Sequence, residues 1–271
     1  MRSIVKGITF AGALCVLAGT LQAASGLLIV EKTTVGDKPQ IHQIQIESTR
    51  MRTESSGANG EKQVMVFDGT KQVLDIIYID KKTYTEMTKD DIEKMGGQLS
   101  DAMAQMQKQM ANLSPEQRAR MEAMMKGQMG GAGAAAAPKV QYKKTGTDTV
   151  GKWTCDKYEG FDNDQKTSEV CTVDPKVLGF AANDFEISRQ LAEFFKKMMP
   201  ASAGQMFSLG TVADQGFSGV PVRRTFTIGE RQVTTEITEV SRQNFPDSSY
   251  AVPAGFEKQA FGAMGRGRGR Q

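Results

Sequence analysis

Two long stretches of the chain alternate apolar and polar residues, and this period of two restricts the fold more than any other feature. Successive side chains of a β-strand point to opposite faces, so alternation predicts strands with one buried face. Turn sequences divide the first stretch at Gly36-Asp37-Lys38-Pro39, at Asp68-Gly69 and at Asp80-Lys81-Lys82. The pattern predicts a meander of about five strands, at residues 26–36, 38–53, 63–67, 72–79 and 83–87.

The second stretch begins after residue 138 and ends in a hairpin. Strands are predicted over residues 139–145, 152–161 and 167–173. Further on, Val220, Val222, Phe226 and Ile228 alternate with polar residues, Gly229-Glu230 supplies a turn, and Val233, Thr235 and Ile237 alternate back. This is the pattern of a β-hairpin. The chain therefore contains two β blocks separated by a segment of different character.

That intervening segment, residues 89–129, has the period of an α-helix. Thr88 and Asp91 form a capping-box pattern at its start, and Ser114-Pro115-Glu116-Gln117 is typical of a second helix start. Residues 130–138, GGAGAAAAP, predict a flexible linker. A third helix is predicted over residues 184–199, ended by Pro200. The first helix has an apolar stripe formed by Met95, Leu99, Met103, Met106, Met110 and Leu113.

The N-terminus, residues 1–25, has the pattern of a signal peptide. Arg2 and Lys6 precede an apolar run, and Ala23-Ala24-Ser25 offers cleavage after Ala23 or after Ser25. An uncleaved membrane anchor is the alternative, but the run is shorter than the roughly 20 residues that a spanning helix needs. We therefore expect a periplasmic or secreted protein.

The mature chain would keep two of the three cysteines, Cys155 and Cys171, because Cys15 lies within the signal sequence. An even pair in an exported chain predicts a disulfide. A two-thiolate metal site is the alternative, but His42 is the single histidine and is distant in sequence. No metal site and no cofactor are predicted.

Three stretches resemble a family of exported bacterial proteins known as a domain of unknown function, which is similar to the LolA and LppX type of periplasmic lipoprotein carrier. The stretches are VFDGTKQVLDIIYIDKKTYTEM at 66–87, WTCDKY at 153–158 followed by Cys171, and SSYAVPAGFEK at 248–258. The resemblance implies one LolA-like domain over residues 26–261 with an α+β fold. Its curved antiparallel sheet, an incomplete β-barrel, would be covered on its concave face by helices. In the carriers this concavity holds acyl chains.

The apolar faces of the helices are the candidate binding surface. A half-open sheet would offer them an apolar pocket, and we expect a lipid or a lipidated partner to occupy it. Half of the 16 methionines lie between Met95 and Met129. Methionine packs irregular surfaces, so core packing or helix pairing is one interpretation, and a Cu(I) site formed by Met103, Met106, Met121 and Met124 is another. The predicted apolar lining is Met103, Met106, Met110, Leu191, Phe194, Phe195 and Met198.

Composition argues against catalysis and against nucleic acid as a partner. Any mechanism that uses histidine depends on His42, which lies mid-strand without a neighbouring nucleophile motif. The formal net charge is +3, too low for a nucleic-acid-binding domain. The tail at 262–271, with Arg266, Arg268 and Arg270, is predicted to be disordered and to favour an anionic membrane surface. We expect a non-catalytic binding or carrier protein; an envelope structural protein without a cavity and a copper-handling module are the alternatives.

Overall fold

The computed structural model describes residues 26–56, 60–111, 114, 116–117, 140–196, 216–228 and 231–260. The predicted signal peptide, the linker at 130–138, Met198 and the tail at 262–271 lie outside the described residues, as do most of the predicted second helix and the side chains of Met103, Met106 and Met110.

The described strands are β1 (Gly26–Val35), β2 (Lys38–Ile46), β3 (Arg50–Ser56), β4 (Lys62–Asp68), β5 (Val73–Tyr78), β6 (Thr83–Thr88), β7 (Gln141–Val150), β8 (Trp153–Asp162), β9 (Gln165–Val173), β10 (Val220–Ile228), β11 (Arg231–Gln243) and β12 (Glu257–Gln259). The described α-helices are α1 (Lys89–Ala111) and α2 (Glu186–Lys196).

All twelve described strands belong to one curved, unclosed sheet. Their order is β12-β6-β5-β4-β3-β2-β1-β11-β10-β9-β8-β7, so β1 and β11 join the two β blocks at the centre. The incomplete barrel-like sheet agrees with the expected α+β fold. The expectation of an entirely antiparallel sheet is wrong, because β12 pairs with β6 in parallel. After β11 the chain crosses one face of the sheet before it reaches β6, and β12 then runs in the same direction as β6.

The first β block contains six strands because the run predicted as one strand over 38–53 is interrupted. Strand β2 ends at Ile46 and β3 begins at Arg50, and the Glu47 N–H donates to the Arg50 carbonyl at 2.8 Å. The Arg50 guanidinium also pairs with the Glu47 carboxylate at 2.6 Å. Ser48 and Thr49 therefore form a tight turn without glycine or proline, the residues from which turns are most readily predicted.

The two helix starts predicted from capping patterns are confirmed. At the start of α1 the Thr88 N–H donates to Asp91 Oδ2 at 3.0 Å, and the Asp91 N–H donates to Thr88 Oγ1 at 3.2 Å. Ser114 and Gln117 make the same reciprocal pair of bonds. These contacts satisfy backbone donors that a helix leaves without intrahelical partners. Helix α2 is shorter than predicted at its start, because Ala182–Phe185 forms a 3₁₀ helix instead.

The predicted disulfide is present between Cys155 on β8 and Cys171 on β9, with their Cα atoms 5.4 Å apart. Cys171 lies directly opposite Lys157, two residues beyond Cys155, so the bond joins diagonal neighbours of the hairpin. The β8–β9 turn at Asn163 and Asp164 has two positive φ angles, 48° and 63°, as a type I′ turn requires.

Two apolar clusters occupy opposite faces of the first β block. The larger one is the main core, which continues across β1 and β11 to the disulfide. The smaller one contains Val64, Val66, Ile77 and Tyr250 and is covered by the segment that precedes β12. Arg50 holds that segment in place, since its guanidinium lies 4.3 Å from the centre of the Tyr250 ring and 2.8 Å from Asp247.

Candidate ligand-binding cavity

Two rows of side chains on the main-core face of the sheet form the floor of the cavity. Residues directly opposite each other in paired strands project from the same face, so the register identifies each row. The first row is Leu27, Ile46, Met51, Phe67, Leu74 and Met87. The second row is Ile29, Ile44, Thr53, Met65 and Ile76.

Helix α2 packs against these rows through a continuous apolar stripe. Its buried side chains are Ile187, Ser188, Leu191, Phe194 and Phe195, a spacing that places them on one side of an α-helix. The Phe194 ring lies 5.4 Å from the Phe67 ring, and Ser188 Oγ donates to Met51 Sδ at 3.8 Å. The helix therefore rests on the centre of the first β block.

Two contacts fix the start of α2 on the sheet. Asp184 is buried and forms an ion pair with Arg242 of β11; Arg242 Nη1 lies 2.9 Å from Asp184 Oδ1. At Gly69, in the β4–β5 turn, an added Cβ would lie 2.3 Å from Gln190 Oε1 and 2.7 Å from Ile187 Cδ1. The turn therefore needs glycine at this position for close approach of the helix.

A cavity of about 190 Å³ remains between α2 and the two rows. A comparable apolar void of about 150 Å³ binds benzene, whereas sites for drug-sized ligands start at about 300 Å³. The described cavity therefore has room for a short apolar group. It is lined by Glu31, Ile44, Met51, Thr53, Met65, Phe67, Leu74, Ser188, Leu191 and Phe195.

Glu31 forms the polar end of the cavity. Burial raises the pKa of its carboxyl, and the positive charge of Arg224 opposes that rise. His42 lies directly opposite Glu31 on β2, and burial lowers the pKa of the His42 imidazole. The cavity thus combines a mostly apolar wall with a carboxyl whose charged form is disfavoured by its surroundings.

The sequence-predicted lining residues divide into three groups. Leu191 and Phe195 line the cavity, while Phe194 is buried beside it against Phe67. Met103, Met106 and Met110 belong to α1, and their side chains, like all of Met198, lie outside the described residues. Ile92 and Met95, near the start of α1, pack against the main core.

The strand residues of the lining were missed by sequence reasoning. The sequence feature that could have identified them is the period of two in β1, in which Leu27 and Ile29 are followed by Glu31. A glutamate in such a pattern is more often solvent-exposed, so the alternation alone does not identify it as a cavity residue.

The described part of the chain contains neither a cluster of candidate metal ligands nor a helix suited to span a membrane. No cluster of three or more histidine, cysteine, aspartate or glutamate side chains with metal-binding geometry occurs among these residues. No described helix has the length and apolar character needed to cross a membrane.

Comparison with known proteins identifies a family and similar solved structures. The family model described as "Domain of unknown function (DUF4412)" matches residues 80–256. No curated protein matches the chain in sequence. Among solved structures, the chain is similar to an uncharacterized conserved protein from Thermus thermophilus, with 8% identity and a TM-score of 0.43. That alignment covers 88% of this chain and 91% of the other.

Proposed function

The chain belongs to the DUF4412 family, and from the cavity itself we propose that it is a non-catalytic binding or carrier protein for an apolar ligand, or for the apolar part of a lipidated partner. In this proposal α2 covers the concave face of the sheet, as helices do in the LolA-type carriers. The observation that supports it is the apolar void between α2 and the two rows of strand residues.

The composition of the cavity wall favours apolar binding over catalysis. Seven of the ten lining residues are isoleucine, methionine, phenylalanine or leucine, and Thr53, Ser188 and Glu31 are the remaining three. A void lined in this way gains free energy when an apolar group replaces water or empty space. Its size suits the end of an acyl chain or a single ring, which would enter from a larger molecule held outside.

The second part of the proposal is the compartment. The signal-peptide pattern of residues 1–25 and the disulfide between Cys155 and Cys171 both favour a periplasmic or secreted protein, since such bonds persist in oxidising compartments. An apolar carrier in that compartment would move or shield acyl groups between membranes.

An interaction or structural role is the alternative with a specific observation in its favour. Ile187 and Phe194 are buried between α2 and the sheet, and the void that remains is small. On that interpretation the void is a packing defect, and the protein would bind partners through its surface. Copper handling by Met103, Met106, Met121 and Met124 remains a proposal, to be tested by Cu(I) titration.

Recovery of native cargo tests the proposal. The full chain is expressed in a Gram-negative host, purified from the periplasmic fraction and analysed by native mass spectrometry and solvent extraction. We expect an apolar adduct on the intact protein, together with an intact mass that shows cleavage after Ala23 or Ser25.

A matched pair of variants identifies where the adduct binds. Ser188→Leu fills the cavity with a larger apolar side chain and should remove the adduct, whereas Ser248→Leu makes the same change at an exposed site on the opposite face and should retain it. Wild-type protein without any adduct, or retention of the adduct by Ser188→Leu, contradicts binding in this cavity.

A further inference from the structure

Glu31 is the one ionisable residue among the described residues that line the cavity. It follows Leu27 and Ile29 at the strand period on β1, so all three side chains project from the main-core face. A register shift between Val30 and Glu31 places Glu31 directly opposite Ile237, which is itself a core residue. The Glu31 carboxyl is therefore part of the cavity wall, on the face of the sheet that carries the main core.

Arg224 supplies a positive charge that acts on the Glu31 carboxyl. Along β10, β11 and β1, the residues Arg224, Thr235 and Thr33 lie side by side, and Thr33 is two residues from Glu31. On its other side Arg224 lies opposite Val170 of β9, which belongs to an apolar cluster separate from the main core. Arg224 acts on Glu31 electrostatically, its guanidinium lies 5.9 Å from the centre of the Phe217 ring, and it is not among the cavity-lining residues.

We infer that this cavity selects apolar ligands whose polar end is a hydrogen-bond donor, such as an alcohol, an amide or an amine, and discriminates against free carboxylates. The inference rests on the binding function proposed above and names its ligand class. The wall presents the Glu31 carboxyl at one end of an apolar void, and the oxygen atoms of that carboxyl can accept a hydrogen bond from a donor at the polar end of the ligand.

The discrimination follows from charge and hydrogen bonding. A hydroxyl, amide or ammonium group can donate to the Glu31 carboxylate while its alkyl part contacts Met51, Met65 and Leu191. A ligand carboxylate would place two carboxyl groups side by side inside a poorly solvated site, where both cannot be ionised and one of them would have to bind a proton.

Three hexyl compounds test the inference because they differ only at the polar end. Hexanol, hexylamine and hexanoate are titrated by calorimetry into the disulfide-intact protein at neutral pH. We expect hexanol and hexylamine to bind at least about tenfold more tightly than hexanoate, in line with the effect of a neighbouring like charge.

Two variants assign the preference to Glu31. In Glu31→Gln the side chain keeps its shape but loses its charge, and hexanoate should then bind within about threefold of hexanol, because the like-charge repulsion is gone. Glu239→Gln makes the same change at an exposed position of β11 and should keep the wild-type preference.

The outcomes separate this inference from the function on which it rests. Equal binding of the three compounds by the wild type, tighter binding of hexanoate, or an unchanged preference in Glu31→Gln overturns the ligand class alone. Failure of all three compounds to bind overturns the binding function and the ligand class together.

Discussion

At the residue scale, the position of Asp75 in the fold disfavours the ionised form of its carboxyl. It lies on β5 directly opposite Glu86 of β6, and its Oδ1 atom is buried without a hydrogen-bond partner among the described residues. Burial, followed by the nearby charge of Glu86, raises the pKa of Asp75 to about 6, while Lys258 partly offsets the rise. Like charges directly opposite each other in paired strands destabilise a sheet.

The raised pKa predicts that Asp75→Asn stabilises the protein at neutral pH. The folded protein binds the Asp75 proton more tightly than the unfolded chain, so wild-type stability falls as pH rises from the unfolded pKa through the folded one. Above about pH 6 the variant should gain about 1–2 kcal/mol in the free energy of unfolding, a value reduced from the full shift because Asp75 is half-exposed. The gain should disappear below about pH 4.

Urea unfolding of both proteins across that pH range measures the difference. Asp37→Asn, in the exposed β1–β2 turn, is the control for loss of one negative charge and should leave stability nearly unchanged. A stability difference between Asp75→Asn and the wild type that is constant across the range would show that the carboxyl does not titrate as described.

At the scale of elements, the disulfide connects two strands that already pair with each other. It closes a loop of 16 positions, and in the chain-entropy model a loop of this size stabilises the fold by about 3 kcal/mol. We predict that the double variant Cys155→Ala/Cys171→Ala loses about that much in the free energy of unfolding, measured by urea denaturation. Both cysteines are buried in the main core, so the variant also loses some packing.

Reducing agent separates the two contributions. Reduced wild-type protein should unfold at a urea concentration between those of the oxidised wild type and the double variant, because it lacks the bond but keeps the packing, and the double variant itself should not respond to the reducing agent. If the oxidised and reduced wild types unfold together, the bond adds nothing to stability.

Most elements could be predicted from the sequence because local patterns specify them. The period of two located the strands of both blocks, and side-chain capping patterns located the starts of α1 and of the following helix. The turn at Ser48 and Thr49 was missed because its stabilisation comes from the Glu47–Arg50 pair. Strand β12 was missed because three residues are too few to show a period, and their pairing depends on a distant strand.

Only the part of the candidate site that α2 contributes could be predicted from the sequence. Leu191 and Phe195 follow from the apolar stripe of α2, which must be buried against some surface. Glu31, Met51 and Met65 depend on the register of five strands and on a β-bulge, and these features are set by long-range pairing.

At the scale of the whole molecule, other parts of the chain contact both faces of one unclosed sheet. The C-terminal segment is held on one face by Arg50 and Tyr250, while α2 is held on the other by Asp184 and Arg242. The apolar void lies under α2, on the main-core face. The central claim is therefore that this void is a binding site and that α2 forms its cover.

Methyl-group NMR with hexanol is the most direct test of that claim. Titration of methyl-labelled protein should shift the resonances of Met51, Met65 and Leu191, which line the void, and leave those of Val150 and Val222, elsewhere in the core, unchanged. Saturable shifts confined to the first group are the predicted result. An absence of shifts, or equal shifts in both groups, would contradict it.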